Sequence, residues 1–159
     1  MSELALSLIP ENLTERILLL LVNLPVWLTG LGASLAINSY RTLKFLYLTI
    51  TVEEDDCDPL CGLSRELRFI TGNNILEELK LFVVIDDDAS FKTESEDWSD
   101  FDSVLTESGA FPMLHRVSVH IAWCSEFMDL VNLLIESLKE DRFPRLVESK
   151  AVEFNFRPK

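Results

Sequence analysis

The sequence predicts an α/β fold, a short solenoid of about five parallel strands with helices on one face, and three observations predict it. An L-x-x-L-x-L pattern recurs along the chain. Each interval between copies holds a segment with helical spacing. Within each copy, apolar and polar residues alternate, as they do in a strand with one buried face. Units of roughly 26–38 residues that each carry one strand and one helix require parallel strands joined by right-handed crossovers.

The elements follow in order. Ile17-Leu18-Leu19-Leu20-Leu21-Val22 is the first strand, apolar on both sides, with the segment Leu4 to Ile9 expected to cover its second face. Pro25 breaks the chain, and Val26 to Ile37 then reads as a short helix weakened by Gly30 and Gly32. Leu43-Lys44-Phe45-Leu46-Tyr47-Leu48 is the second strand. Asp58-Pro59 supplies an N-cap and a proline at the first helical position, Leu60, Leu63, Leu67 and Ile70 supply the stripe, and Gly72 the stop. Leu76-Glu77-Glu78-Leu79-Lys80-Leu81 is the third strand, and Ser99 is expected to cap a helix bearing Phe101, Val104 and Leu105, closed by Gly109. Leu114-His115-Arg116-Val117-Ser118-Val119 is the fourth strand. Ser125 then precedes a helical stripe of Phe127, Leu130, Val131, Leu134 and Leu138. Val152-Glu153-Phe154-Asn155-Phe156 keeps the alternation at the end. Phe111-Pro112 and Phe143-Pro144 stand before the last two anchors, where proline is expected to end a helix and stiffen entry to a strand. The whole chain, 1–159, therefore reads as a single repeat domain with units starting near 17, 43, 76, 114 and 149.

This layout sorts the strand residues by face. Leu46, Leu48, Leu79, Leu81, Val117, Val119, Phe154 and Phe156 point to the helices. Tyr47, Thr49, Lys80, Phe82, Ser118, His120, Glu153 and Asn155 point to an open face, and these eight are the candidate partner-binding residues.

Composition narrows the function classes. The chain has 159 residues, 48% of them hydrophobic, which suits one globular domain. Fourteen Lys and Arg against 27 Asp and Glu leave a net charge of −13, which repels phosphate backbones and argues against nucleic acid as a partner. Two histidines and five glycines leave little for a phosphate loop, no cofactor motif is present, and no G-x-S-x-G or Cys/His framework supports catalysis. Cys57, Cys61 and Cys124 form no even disulfide framework and lack the paired second motif that zinc requires, so they read as reduced thiols, with Cys61 and Cys124 as small core residues. With an acidic N-terminus unlike a signal peptide, this points to an intracellular chain, cytoplasmic or nuclear.

One segment carries an alternative. Ile17 to Tyr40 holds no charge and is long enough to cross a bilayer, which would make the chain a membrane-tethered adaptor; the repeat favours a strand and a helix split at Pro25 instead.

The degenerate L-x-x-L-x-L strands, the Phe111-Pro112-Met113-Leu114 and Phe143-Pro144-Arg145-Leu146 motifs and the long irregular repeats resemble the leucine-rich-repeat region of fungal F-box-type proteins, over about Glu15 to Pro158. The resemblance implies a non-catalytic protein–protein interaction module, the substrate-recognition part of a ubiquitin ligase receptor. An F-box ahead of it would dock a Skp1-type adaptor. Two departures stand against it. The regular Asn or Cys of a standard repeat ladder is missing, and a complete F-box is absent. Ile9-Pro10-Glu11-Asn12-Leu13 with Ile17 and Leu18 is similar to the opening of an F-box, yet Ile17 to Val22 also serves as the first strand.

Acidic residues cluster after two strands. Glu53, Glu54, Asp55, Asp56 and Asp58 follow the second, and Asp86, Asp87, Asp88, Glu94, Glu96 and Asp97 follow the third. Stacked loops would merge them into a negative rim, either an ordinary solvated edge or a docking surface for a basic protein partner. Asp86-Asp87-Asp88 lacks the spacing of a calcium loop. Because the end strands of a stack need covers, the chain is expected to be a piece of a longer array, a dimer through its ends, or marginally stable.

Overall fold

In a computed structural model, residues 5–9, 16–23, 30–38, 41–52, 58–85, 96–123 and 137–158 are described. They form an α/β fold with a six-stranded sheet in sequence order: β1 (Ala5–Ile9), β2 (Arg16–Asn23), β3 (Leu43–Val52), β4 (Glu78–Ile85), β5 (Arg116–Trp123) and β6 (Glu153–Pro158). The β1–β2 ladder is antiparallel, and the β2–β3, β3–β4, β4–β5 and β5–β6 ladders are parallel. Leu4 to Ile9 thus gives a different result from its expected covering role, because Ala5–Ile9 extends the sheet sideways beside β2.

The ladders align Leu18, Leu46, Leu79, Val117 and Phe154 in one row and Leu20, Leu48, Leu81, Val119 and Phe156 in the next. At the two end strands these rows, rather than the anchors near 17 and 149, set the correspondence between units. The difference is two residues, which leaves the alternation in phase, since the period of a strand is two. Leu46, Leu79 and Val117 are 0% exposed, and they share one core cluster with Leu63 and Leu67, Trp98 and Phe101, and Leu146 from the helices. Full burial of such a side chain is worth about 1.5–3 kcal/mol, so the face a strand presents is strongly fixed.

The helices are α1 (Leu31–Asn38), α2 (Leu63–Arg68), α3 (Glu96–Thr106) and α4 (Pro144–Glu148), and each packs on the next in sequence. Their boundaries depart from expectation for local reasons. Asp58 caps a turn rather than α2: its Oδ1 accepts from the Leu60 N–H at 2.8 Å, and the helix starts only after Gly62 at φ 74°. Ser99 lies inside α3, its hydroxyl donating to the Glu96 carbonyl at 2.9 Å. Pro144 opens α4 rather than ending a helix, as its fixed φ and missing N–H allow. The stripe from Phe127 to Leu134 lies outside the described residues, while 137–142 is helical.

Carboxylates from one helix satisfy the amides of another. Glu66 of α2, 3% exposed, accepts from the Gly30 and Gly32 N–H groups at 3.1 and 2.8 Å, at the start of α1. Asp97 of α3 accepts from the Gly62 N–H at 3.2 Å, at the start of α2. Asp102 of α3, 2% exposed, accepts from Arg145 and Leu146 at 3.0 and 2.8 Å, at the start of α4. Orphan N–H groups and the positive helix end both favour a carboxylate there. Burial still raises the Asp102 carboxyl above its usual range, against the opposing pull of the Leu146 and Arg145 amides. Buried Asn74 joins the turns in the same way. Its Nδ2 donates to the Ile70 and Ala110 carbonyls at 2.7 and 2.8 Å, and its Oδ1 accepts from Leu76 at 3.2 Å.

α1 lies so close to α2 that a Cβ on Gly32 would collide with the Glu66 carbonyl. Gly32→Ala is therefore expected to destabilise by about 1–3 kcal/mol in urea titrations, opposite in sign to the usual glycine-to-alanine gain inside a helix. Asp102→Ala, which bares two amides, is expected to cost about 1–3 kcal/mol. Because the native Asp102 pKa is raised, its ionisation works against the fold: the stability contributed by the protonated carboxyl is full below the unfolded value and is lost as pH rises from that value to the native one. NMR titration of its carboxyl carbon should place the midpoint above the ordinary range.

Candidate interaction face of the sheet

The eight open-face residues predicted from alternation all occupy the sheet side opposite the sealed rows. One hydrogen-bonded row runs Tyr47, Lys80, Ser118, Asn155, and the next runs Thr49, Phe82, His120, Arg157. Glu153 belongs to a third row with Phe45, Glu78 and Arg116. Lys80 and Glu153 are exposed, while Tyr47, Thr49, Phe82, His120 and Asn155 are half-buried. Ser118 is only 7% exposed, so it forms floor between larger neighbours.

Charge on this face is ordered across strands. Arg116 reaches Glu78 on one side at 3.3 Å and Glu153 on the other at 3.4 Å. Asn155 Nδ2 donates to Glu153 Oε1 at 3.0 Å. These contacts hold the exposed Glu153 carboxyl below its usual range, the Asn155 bond first and Arg116 next. The Lys80 ammonium stands 5.8 Å from the Tyr47 ring centroid, within cation–π reach. The Tyr47 phenol is pushed up, chiefly by burial and further by the Glu78 carboxylate, which also accepts its hydrogen bond. Phe45, Glu78, Arg116 and Arg157 were not singled out from sequence, although each lies two residues from one that was, and the same period of two identifies them.

Lys80, Arg116 and Arg157 outnumber Glu78 and Glu153 on this face, which sets it apart from a chain that is acidic as a whole. The longer acidic runs come after the strands in sequence. Val52 pairs with Ile85, so the runs beginning at Glu53 and Asp86 leave from the same end of neighbouring strands. Glu53, Glu54, Asp55, Asp56, Asp86, Asp87, Asp88 and Glu94 themselves lie outside the described residues. Asp58 and Asp97, two further members of those clusters, are engaged with backbone amides.

A cleft of about 510 Å³ opens at the other end of the strands, lined by Leu105, Phe111, Leu114, Arg145, Glu148 and Val152 among others. None of the open-face residues lines it. Cys61 is half-buried, and no group of three metal-ligating side chains forms among the described residues. Trp98 is buried in the core, its ring centroid 5.5 Å from that of Phe143. Ile17 to Val22 is strand, Leu31–Asn38 is an eight-residue helix, and no helix among the described residues is long and apolar enough to cross a membrane.

Alkaline ultraviolet titration should find one tyrosine ionising above the ordinary phenol range and lost in Tyr47→Phe. Glu78→Gln should bring that midpoint down. Since folding raises this pKa, stability should fall as pH climbs from the unfolded phenol value to the native one.

No family model, curated protein or solved structure matches the chain, so the functional reading rests on the arrangement of its residues.

Proposed function

We propose that the chain is a non-catalytic protein-binding module, a short leucine-rich-repeat-like solenoid that takes its partner on the open sheet face. One observation carries this reading: three registered rows bring Tyr47, Lys80, Phe82, His120 and Glu153 onto one face opposite the sealed core. A sheet backed by packed helices holds such side chains at fixed spacing, and aromatic and cationic residues are the usual energetic anchors of an interface. Electrostatics favours a partner that meets this face with carboxylates and with apolar groups for Tyr47 and Phe82. The acidic runs at the strand ends would separately attract a basic region.

Within this reading the chain is the substrate-recognition part of an F-box-type ubiquitin ligase receptor. That role follows from the repeat resemblance and needs an F-box elsewhere in the working protein to engage a Skp1-type adaptor.

Site-specific crosslinking tests the docking face. A photoreactive residue at position 120 should capture a discrete protein, and one at exposed Phe69 on α2's end should not. Lys80→Glu should reduce that crosslink several-fold with an unchanged thermal melt. Capture from position 69 alone would move the site to the helices.

A further inference from the structure

We infer that β6 joins two copies of this chain, its strand pairing antiparallel with the same strand of a second molecule. β6 ends the sheet order and pairs with β5 on one side, and no described strand lies on the other. The Glu153 N–H donates to the His115 carbonyl at 2.8 Å, which turns the backbone of 153, 155 and 157 toward β5. The N–H and C=O groups of Phe154 and Phe156 therefore face outward, where a further strand would sit.

The residues of this strand fit their own reversed order. A two-fold axis through Asn155 places Phe154 of one copy opposite Phe156 of the other, and those two pairs exchange four backbone hydrogen bonds. The same axis places Glu153 opposite Arg157 twice, at the non-hydrogen-bonded positions where facing side chains approach most closely. Both are exposed and stand on the open face. Arg116 already lies on one side of Glu153 at 3.4 Å, and the second copy's Arg157 would supply a cation on the other. Beneath the strand, Phe154 and Phe156 pack on Phe143 at 5.2 and 5.3 Å, and Val147 of the last helix is left 42% exposed where a second α4 would come alongside. A slip of one residue would turn the phenyl rings to the wrong face. Pro158 lacks an N–H on the outward side and stops the ladder there, and because each copy uses the same strand about a two-fold axis the contact closes at a pair.

The test is sedimentation equilibrium at physiological ionic strength, where the net charge of −13 is screened, from micromolar to several hundred micromolar protein. The unaltered chain should be a concentration-dependent dimer. Glu153→Arg and Arg157→Glu each set like charges opposite one another and should weaken self-association by about tenfold or more. Mixed in equal amounts, the two variants should dimerise with each other, because unlike charges then face across the axis. Circular dichroism melts establish that both variants fold, and Arg157→Glu leaves the Arg116–Glu153 contact in place. A chain that stays monomeric throughout, single variants that associate like the parent, or a mixture no better than its components would overturn the inference.

Discussion

Leu46, Leu79 and Val117 stand side by side on three neighbouring strands with no solvent exposure, and every other orientation in the molecule follows from that. A strand that must bury one set of side chains has no freedom over the other set. The residues between them are committed to the opposite face, and parallel pairing in sequence order lines them up. The helices return to the sealed side because an unburied aliphatic row of this length would be costly. The open face is thus a by-product of the core, held as rigidly as the core itself.

The helix layer is tied by a different force. Three short helices begin with amides that no turn of their own can satisfy, and in each case the acceptor is a carboxylate on an adjacent helix. Glu66 and Asp102 are tolerated at 3% and 2% exposure only because they are hydrogen-bonded. Some of the acidity of this chain is accordingly structural. Asp97 and Asp102 belong to the framework, whatever the runs at 53–56 and 86–88 do.

Period-two alternation was legible because it is a local consequence of burial, and it assigned the face of Tyr47, Lys80, Phe82 and His120 without knowledge of the register. What alternation could not reach was long-range. Asn74 binds the Ala110 carbonyl far along the chain, and nothing in the residues around it announces that partner. The helix starts failed similarly. Asp58 and Ser99 carry the right side chains for caps, but Gly62 and a start at Glu96 moved the boundaries, and Pro144 serves equally well before or after a helix. Ser118 was read as a contact residue because sequence gives the face of a side chain but not the bulk of its neighbours.

The carboxylate that caps each of these helices lies in a different unit from the helix it completes. α1 relies on Glu66, α2 on Asp97 and α4 on Asp102, so α3 serves both flanking helices. Arrays of units that touch only by surface contact can shed members from an end with little effect on those remaining. Here, excising the stretch that holds α3 would strand amides on either side, so the layer should melt as one cooperative body, and grafting or trimming single units would fail where moving neighbours together would succeed.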